Sequence, residues 1–219
     1  MLKVSEALFE SVRDLWDETS RNPFITAMAD GTLDRKLFKA YMLQDYYYLI
    51  DYTAILIQMQ EQAAHTDTAA FLEKSVQATR NETERVHVPN MMQLGITSEE
   101  ILAGQKASAC LEYLHYLKET AQKGTIYGLT ALLQCSWYYA YLAQTVAKRY
   151  GDSLERSPYA GWFSAYMSDV YTEANAEWIA VLDRETQGIS SEETEQLCSI
   201  FQRCAHYENG FWNCVLTSE

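Results

Sequence analysis

Apolar residues recur three or four positions apart along most of this chain, and alternating runs of the β type are nearly absent. Start and stop signals divide the pattern into helices. A first helix is predicted from about Val4 to Ser20, followed by a loop carrying Asn22-Pro23 and Asp30-Gly31. Thr32 reads as the N-cap of a long helix reaching Ala64, and a further helix covers roughly Asp67 to Pro89. Gly95 ends a turn, and Thr97-x-x-Glu100 has the reciprocal spacing of a capping box. Helices then follow from about Ala107 to Gln122, from Thr125 to Tyr150 and from Pro158 to Thr186, which Gly188 closes. A second box, Ser190-x-x-Glu193, opens a last helix that runs nearly to the C-terminus. With no linker, repeat or low-complexity segment, residues 1–219 read as one all-α domain of seven or eight helices.

Three stretches break the usual rule that reactive side chains stay off apolar faces. They are Leu43-Gln44-Asp45-Tyr46-Tyr47-Tyr48-Leu49, Leu133-Gln134-Cys135-Ser136-Trp137-Tyr138-Tyr139 and Tyr207-Glu208-Asn209-Gly210-Phe211-Trp212. At helical spacing Asp45 is flanked by Tyr41, Tyr48 and Leu49, Cys135 by Ala131, Tyr138 and Tyr139, and Glu208 by Cys204, Phe211 and Trp212. A buried carboxylate needs a partner or a purpose. One buried cysteine is most often a small hydrophobe, and one buried carboxylate most often a hydrogen-bonder. Three such groups on aromatic faces favour a site assembled from three helices.

Composition narrows the functional classes. There are 30 acidic against 17 basic residues, a net charge of -13, and no Lys/Arg run, which argues against nucleic-acid binding. The 16 tyrosines and 5 tryptophans can line a pocket as well as fill a core. The five cysteines form no CxxC pair, no secretory apolar segment opens the chain, and no apolar run is long enough for a membrane. The expectation is a cytoplasmic protein with reduced thiols and no membrane partner.

The order and spacing of Asn22-Pro23-Phe24, Asp30-Gly31-Thr32-Leu33, Phe38-x-x-Tyr41-x-x-Gln44-Asp45-x-x-Tyr48-Leu49, Ala131-Leu132-Leu133-x-Cys135-x-Trp137-x-Tyr139 and Tyr207-Glu208-x-x-Phe211-Trp212 carry a family resemblance. The chain resembles the TenA family of thiaminase II, also called aminopyrimidine aminohydrolase, over nearly its whole length. The resemblance implies a haem-oxygenase-like all-helical fold, a homotetramer, and no metal or organic cofactor. It implies hydrolysis of 4-amino-5-aminomethyl-2-methylpyrimidine, and less productively of thiamin, to the 5-hydroxymethyl pyrimidine in thiamin salvage.

By the same resemblance Cys135 is the nucleophile, since covalent attack by a thiolate splits one hard displacement into two easier steps. Glu208 is the general acid/base, a role suited to a carboxyl whose desolvation strengthens its hold on the proton. Asp45 holds the ring nitrogen and exocyclic amine. Tyr48, Tyr139 and Phe211 match pocket positions, Tyr113 and Tyr166 match two more, and Tyr207 is placed to orient Glu208. Gln134 stands where the family commonly has Pro, and Ser136 where it often has an aromatic residue. Both border the pocket and bear on substrate preference.

Two other readings stay open at this stage. Glu84-x-x-His87 and Glu112-x-x-His115 share the Glu-x-x-His spacing of di-iron bundles, with Asp45 or Glu61 as further carboxylates. The plainer reading makes them half-exposed pairs on helix faces. A non-catalytic pyrimidine-binding or regulatory protein on the same scaffold would keep the aromatic pocket without needing a nucleophile.

Overall fold

The computed structural model describes residues 3–216. Among them there are helices and turns but no strand. The helices are α1 (Val4–Thr19), α2 (Pro23–Asp30), α3 (Arg35–Gln62), α4 (Thr66–Glu82), α5 (Val88–Gln93), α6 (Ser98–Ala103), α7 (Ser108–Gln122), α8 (Thr125–Tyr150), α9 (Asp152–Glu155), α10 (Ala160–Tyr166), α11 (Asp169–Glu185) and α12 (Ser191–Leu216), with a π-helical turn at Thr83–His87. The chain divides into two compact units. One is the chain up to Leu33 with Leu129–Asn209; the other is Asp34–Gly128 with the chain from Gly210 onward.

The first unit is organised on Trp16. Helix α1 buries Leu8, Val12 and Trp16, spaced four apart on one face. The Trp16 ring meets Trp137, Tyr138, Tyr141 and Phe201 at centroid distances of 5.8, 5.6, 5.2 and 5.8 Å. The Asp183 carboxylate of α11 then fixes the start of α1, accepting from the Ser5 N–H at 3.0 Å and the Ser5 hydroxyl at 2.9 Å. Helix α2 forms where a loop was expected. Asn22 Oδ1 accepts from the Phe24 N–H at 2.9 Å, Pro23 occupies the first turn, and Gly31 ends the helix at φ +78°. All three signals are visible in the sequence.

In the second unit α3 is the axis, packed on α4 and α7. It starts two residues later than expected, with Asp34 and not Thr32 as its N-cap. The Asp30 carboxylate takes both the Thr32 N–H (3.0 Å) and the Thr32 hydroxyl (2.6 Å), so Asp34 caps the helix by accepting from Lys36 N–H at 2.8 Å. Gln44 of α3 clamps the segment entering α7 from both ends of its amide. Its Nε2 donates to the Gln105 carbonyl (2.9 Å) and its Oε1 accepts from the Ala107 N–H (2.8 Å). The Thr97–Glu100 box forms as expected, and Lys39 reaches Glu100 at 2.7 Å.

Two predicted helices are interrupted. The one expected over Asp67–Pro89 widens into the π turn before α5, and the one expected over Pro158–Thr186 breaks at Met167. There Ser168 caps α11, accepting from the Tyr171 N–H at 3.3 Å.

Candidate functional site

In the first unit α8 carries Cys135 and α12 carries Glu208. Cys135 is half-buried on α8, one turn before the buried Tyr139. Tyr139 belongs to an aromatic wall: its ring lies 4.9 Å from Tyr166 and 5.6 Å from Trp162, and Trp162 lies 4.6 Å from Tyr166. Tyr171 closes on Tyr166 edge-on at 5.0 Å. Cys135 is thus followed, one turn on, by a face of edge-to-face rings suited to a flat heteroaromatic ligand. Trp162 and Tyr171 were not read from the sequence; only the break at Met167 brings α10 and the start of α11 into this wall.

The residues beside Cys135 are tied down. The Ser136 hydroxyl donates to Asn175 Oδ1 (2.8 Å), Asn175 Nδ2 donates to the Tyr171 carbonyl (3.0 Å), and the Tyr171 hydroxyl donates to the Ser136 carbonyl (3.1 Å). This closed ring of hydrogen bonds fixes α8 against α11 at the residue after Cys135. Gln134 is fully buried.

Glu208 is only 2% exposed. Its charge raises the proton affinity of two neighbours in which burial has the larger effect, the fully buried Tyr138 hydroxyl and the Cys204 thiol. Tyr207 is half-buried, with the Arg203 guanidinium 5.6 Å over its ring. None of the five cysteines is in a disulfide.

In the second unit Asp45 is the centre. It is 5% exposed, and among the described residues its two side-chain hydrogen bonds end on one oxygen. The Tyr41 hydroxyl donates to Oδ2 at 3.2 Å, and His87 Nε2 lies 2.6 Å from the same atom. Burial opposes a charge on the His87 ring. The Asp45 charge and hydrogen bond, with the charge and carbonyl of Glu82, outweigh it, so the ring holds its proton above the ordinary value of 6.5. Around this pair Tyr48 meets Tyr113 at 5.4 Å, Tyr52 at 5.6 Å and Phe211 at 6.1 Å, while Tyr41 stacks on Trp212 at 5.0 Å. Tyr48, Tyr113 and Phe211, picked out separately in the sequence, therefore form one cluster. Cys110 is fully buried, and its thiol is pushed up to about 12, chiefly by burial and then by the Asp45 charge.

His87 corrects an expectation. Read as one of a half-exposed pair on a helix face, it is 3% exposed and bound to Asp45, while Glu84, Glu112 and His115 are exposed. His115 pairs with Glu119 at 3.3 Å. Among the described residues no three His, Cys, Asp or Glu side chains are grouped to hold a metal ion, and no helix is long and apolar enough to cross a membrane.

An all-helical protein of the haem-oxygenase-like fold is defined by this architecture. Residues 9–218 match the TENA/THI-4/PQQC family, and the chain belongs to it. It is 32% identical to the aminopyrimidine aminohydrolase of Halalkalibacterium halodurans over 214 residues, covering 97% of this chain and 95% of that protein. It is 28% identical to the aminopyrimidine aminohydrolase of Helicobacter pylori, covering 99% and 100%. The TenA homologue from P. horikoshii OT3 superposes with a TM-score of 0.83 at 26% identity, over 98% of each chain.

Proposed function

We propose that this protein is a hydrolase that converts 4-amino-5-aminomethyl-2-methylpyrimidine to the 5-hydroxymethyl pyrimidine with release of ammonia, in thiamin salvage. The observation that carries the reading is the near full-length likeness to two aminopyrimidine aminohydrolases. It is joined to the placement of Cys135, Glu208 and Asp45 on aromatic faces. Thiamin is a second, poorer substrate. The family match over 9–218 supports reading residues 1–219 as one functional domain.

On this reading the Cys135 thiolate adds to the pyrimidine ring. Glu208 protonates the amine on the 5-methylene, and that amine leaves as ammonia. Water, deprotonated by Glu208, then adds to the methylene, and Cys135 is released as the aromatic ring re-forms. The proton given to the leaving amine is thus recovered from water. Asp45 accepts hydrogen bonds from the amino edge of the ring. Tyr48, Tyr113, Tyr139, Tyr166 and Phe211 supply aromatic surface for the ring; Tyr207 supports the segment that carries Glu208. No metal or organic cofactor takes part.

The test is ammonia release from the aminomethyl pyrimidine by wild type and by Cys135→Ala. Release by wild type and none by a folded Cys135→Ala that still binds the pyrimidine is expected. Full activity in the variant would remove Cys135 from the nucleophile's role, and no release by the wild type would overturn the substrate. We further read the enzyme as a cytoplasmic homotetramer. A stable monomer in sedimentation at micromolar concentration would refute that assembly.

A further inference from the structure

The Glu84-x-x-His87 spacing found no use in the proposed chemistry, yet its histidine makes the shortest polar contact to Asp45. His87 arrives there from the π turn. Thr79, Thr83 and His87 form a buried line, four apart, down the end of α4 and through the turn. The Thr79 and Thr83 hydroxyls bond back to the Ser75 and Thr79 carbonyls at 3.0 and 2.9 Å. The Val88 N–H reaches back five residues to the Thr83 carbonyl. Single π turns of this kind recur at functional sites, where they re-aim a side chain.

The geometry at Asp45 is asymmetric. Oδ2 takes the hydrogen bonds of both His87 and Tyr41, and among the described residues none donates to Oδ1. A carboxylate with one oxygen satisfied twice and the other left over is oriented, and its remaining acceptor is available to a ligand.

We propose that His87 is a positioning residue for aminopyrimidine recognition. It holds Asp45 by Oδ2, so that Oδ1 is presented to accept from the exocyclic amine of the substrate. The proposal rests on the aminopyrimidine reading above. Glutamine should substitute for this role, because its side-chain Nε2 can donate where imidazole Nε2 does; leucine cannot. The titratable and charged groups that bear on the pair are Glu82 at the end of α4, which favours a charged His87, and Cys110 of α7, whose thiol stays protonated beside Asp45.

The experiment compares His87→Leu and His87→Gln with wild type in two ways. KM and kcat are measured for ammonia release from the aminomethyl pyrimidine. Binding of the hydroxymethyl pyrimidine is followed by quenching of tryptophan fluorescence. His87→Leu is expected to lose at least tenfold in pyrimidine affinity and to raise KM by a similar factor. The rate of Cys135 alkylation should stay unchanged. His87→Gln should recover to within about threefold of wild type. Affinity within threefold of wild type in His87→Leu, or equal impairment in two variants of equal melting temperature, overturns the role.

The pair is also tested without turnover. The chain has four histidines, so imidazole NMR resolves His87 by its loss in His87→Gln. Its titration should fall in Asp45→Asn, and an unmoved titration would overturn the pairing. If wild type releases no ammonia, the substrate reading fails while this titration still decides the pair.

Discussion

Replacing Asp45 by asparagine keeps the shape of the side chain and removes the charge that the His87 ring faces at 2.6 Å. Both partners are nearly out of solvent, with side-chain exposures of 4% and 7%, so water does little to screen them. Removing one member of such a buried pair costs about 3–5 kcal/mol, and a hydrogen bond to a charged group contributes about 1.5–3 kcal/mol. The asparagine keeps some hydrogen bonding, which places the expected loss near 3 kcal/mol, or about 6–12 °C in Tm for a chain of this size. The loss should depend on pH with a fixed sign. His87 binds its proton more tightly in the folded than in the unfolded chain. Its contribution is therefore fully present below about pH 6.5 and is lost as pH rises through the higher folded value. The difference between wild type and Asp45→Asn in urea unfolding should be largest near pH 6. It should shrink by pH 8.5, by about 1.4 kcal/mol for each unit by which His87 is raised. A variant within about 0.5 kcal/mol of wild type at pH 6, or a difference that grows with pH, would refute the pairing argument.

Three further outcomes are expected. At pH 8 iodoacetamide should modify the half-buried Cys135 well before Cys110, which is fully buried and pushed up to about 12; peptide mass mapping checks this, and comparable rates would contradict it. Trp162→Ala removes ring contacts to Tyr139 and Tyr166 at 5.6 and 4.6 Å, so KM for the pyrimidine should rise about tenfold, from pair energies of roughly 0.5–1.5 kcal/mol each, with kcat changed much less. Gly128→Ala would place a methyl 2.7 Å from the Met59 sulfur and 3.1 Å from the Ala121 Cα; this outweighs the roughly 1 kcal/mol gained in helix preference, and a raised Tm would show otherwise.

That the chain is helical was legible in its pattern of apolar positions. It also placed most helix ends, because caps and turns are local: Thr97 with Glu100 and Ser190 with Glu193 need only three residues of context. The same locality explains which ends were misplaced. Thr32 looked like a cap, but a nearer carboxylate, Asp30, took its hydroxyl. Asn22, Pro23 and Gly31 were read as a loop although together they spell a short helix. Helical spacing also put Asp45, Cys135 and Glu208 on apolar faces, and all three are half-buried or buried.

What those faces meet was not legible in the pattern. His87 lies 42 residues from Asp45, and its line of approach depends on a π turn that a period of 3.6 does not announce. Trp162 and Tyr171 enter the wall beside Tyr139 through a helix break set by Ser168. A side-chain pattern reports which residues leave water. The choice among buried partners is made by packing between segments distant in sequence, where one widened turn or one break re-aims a whole face.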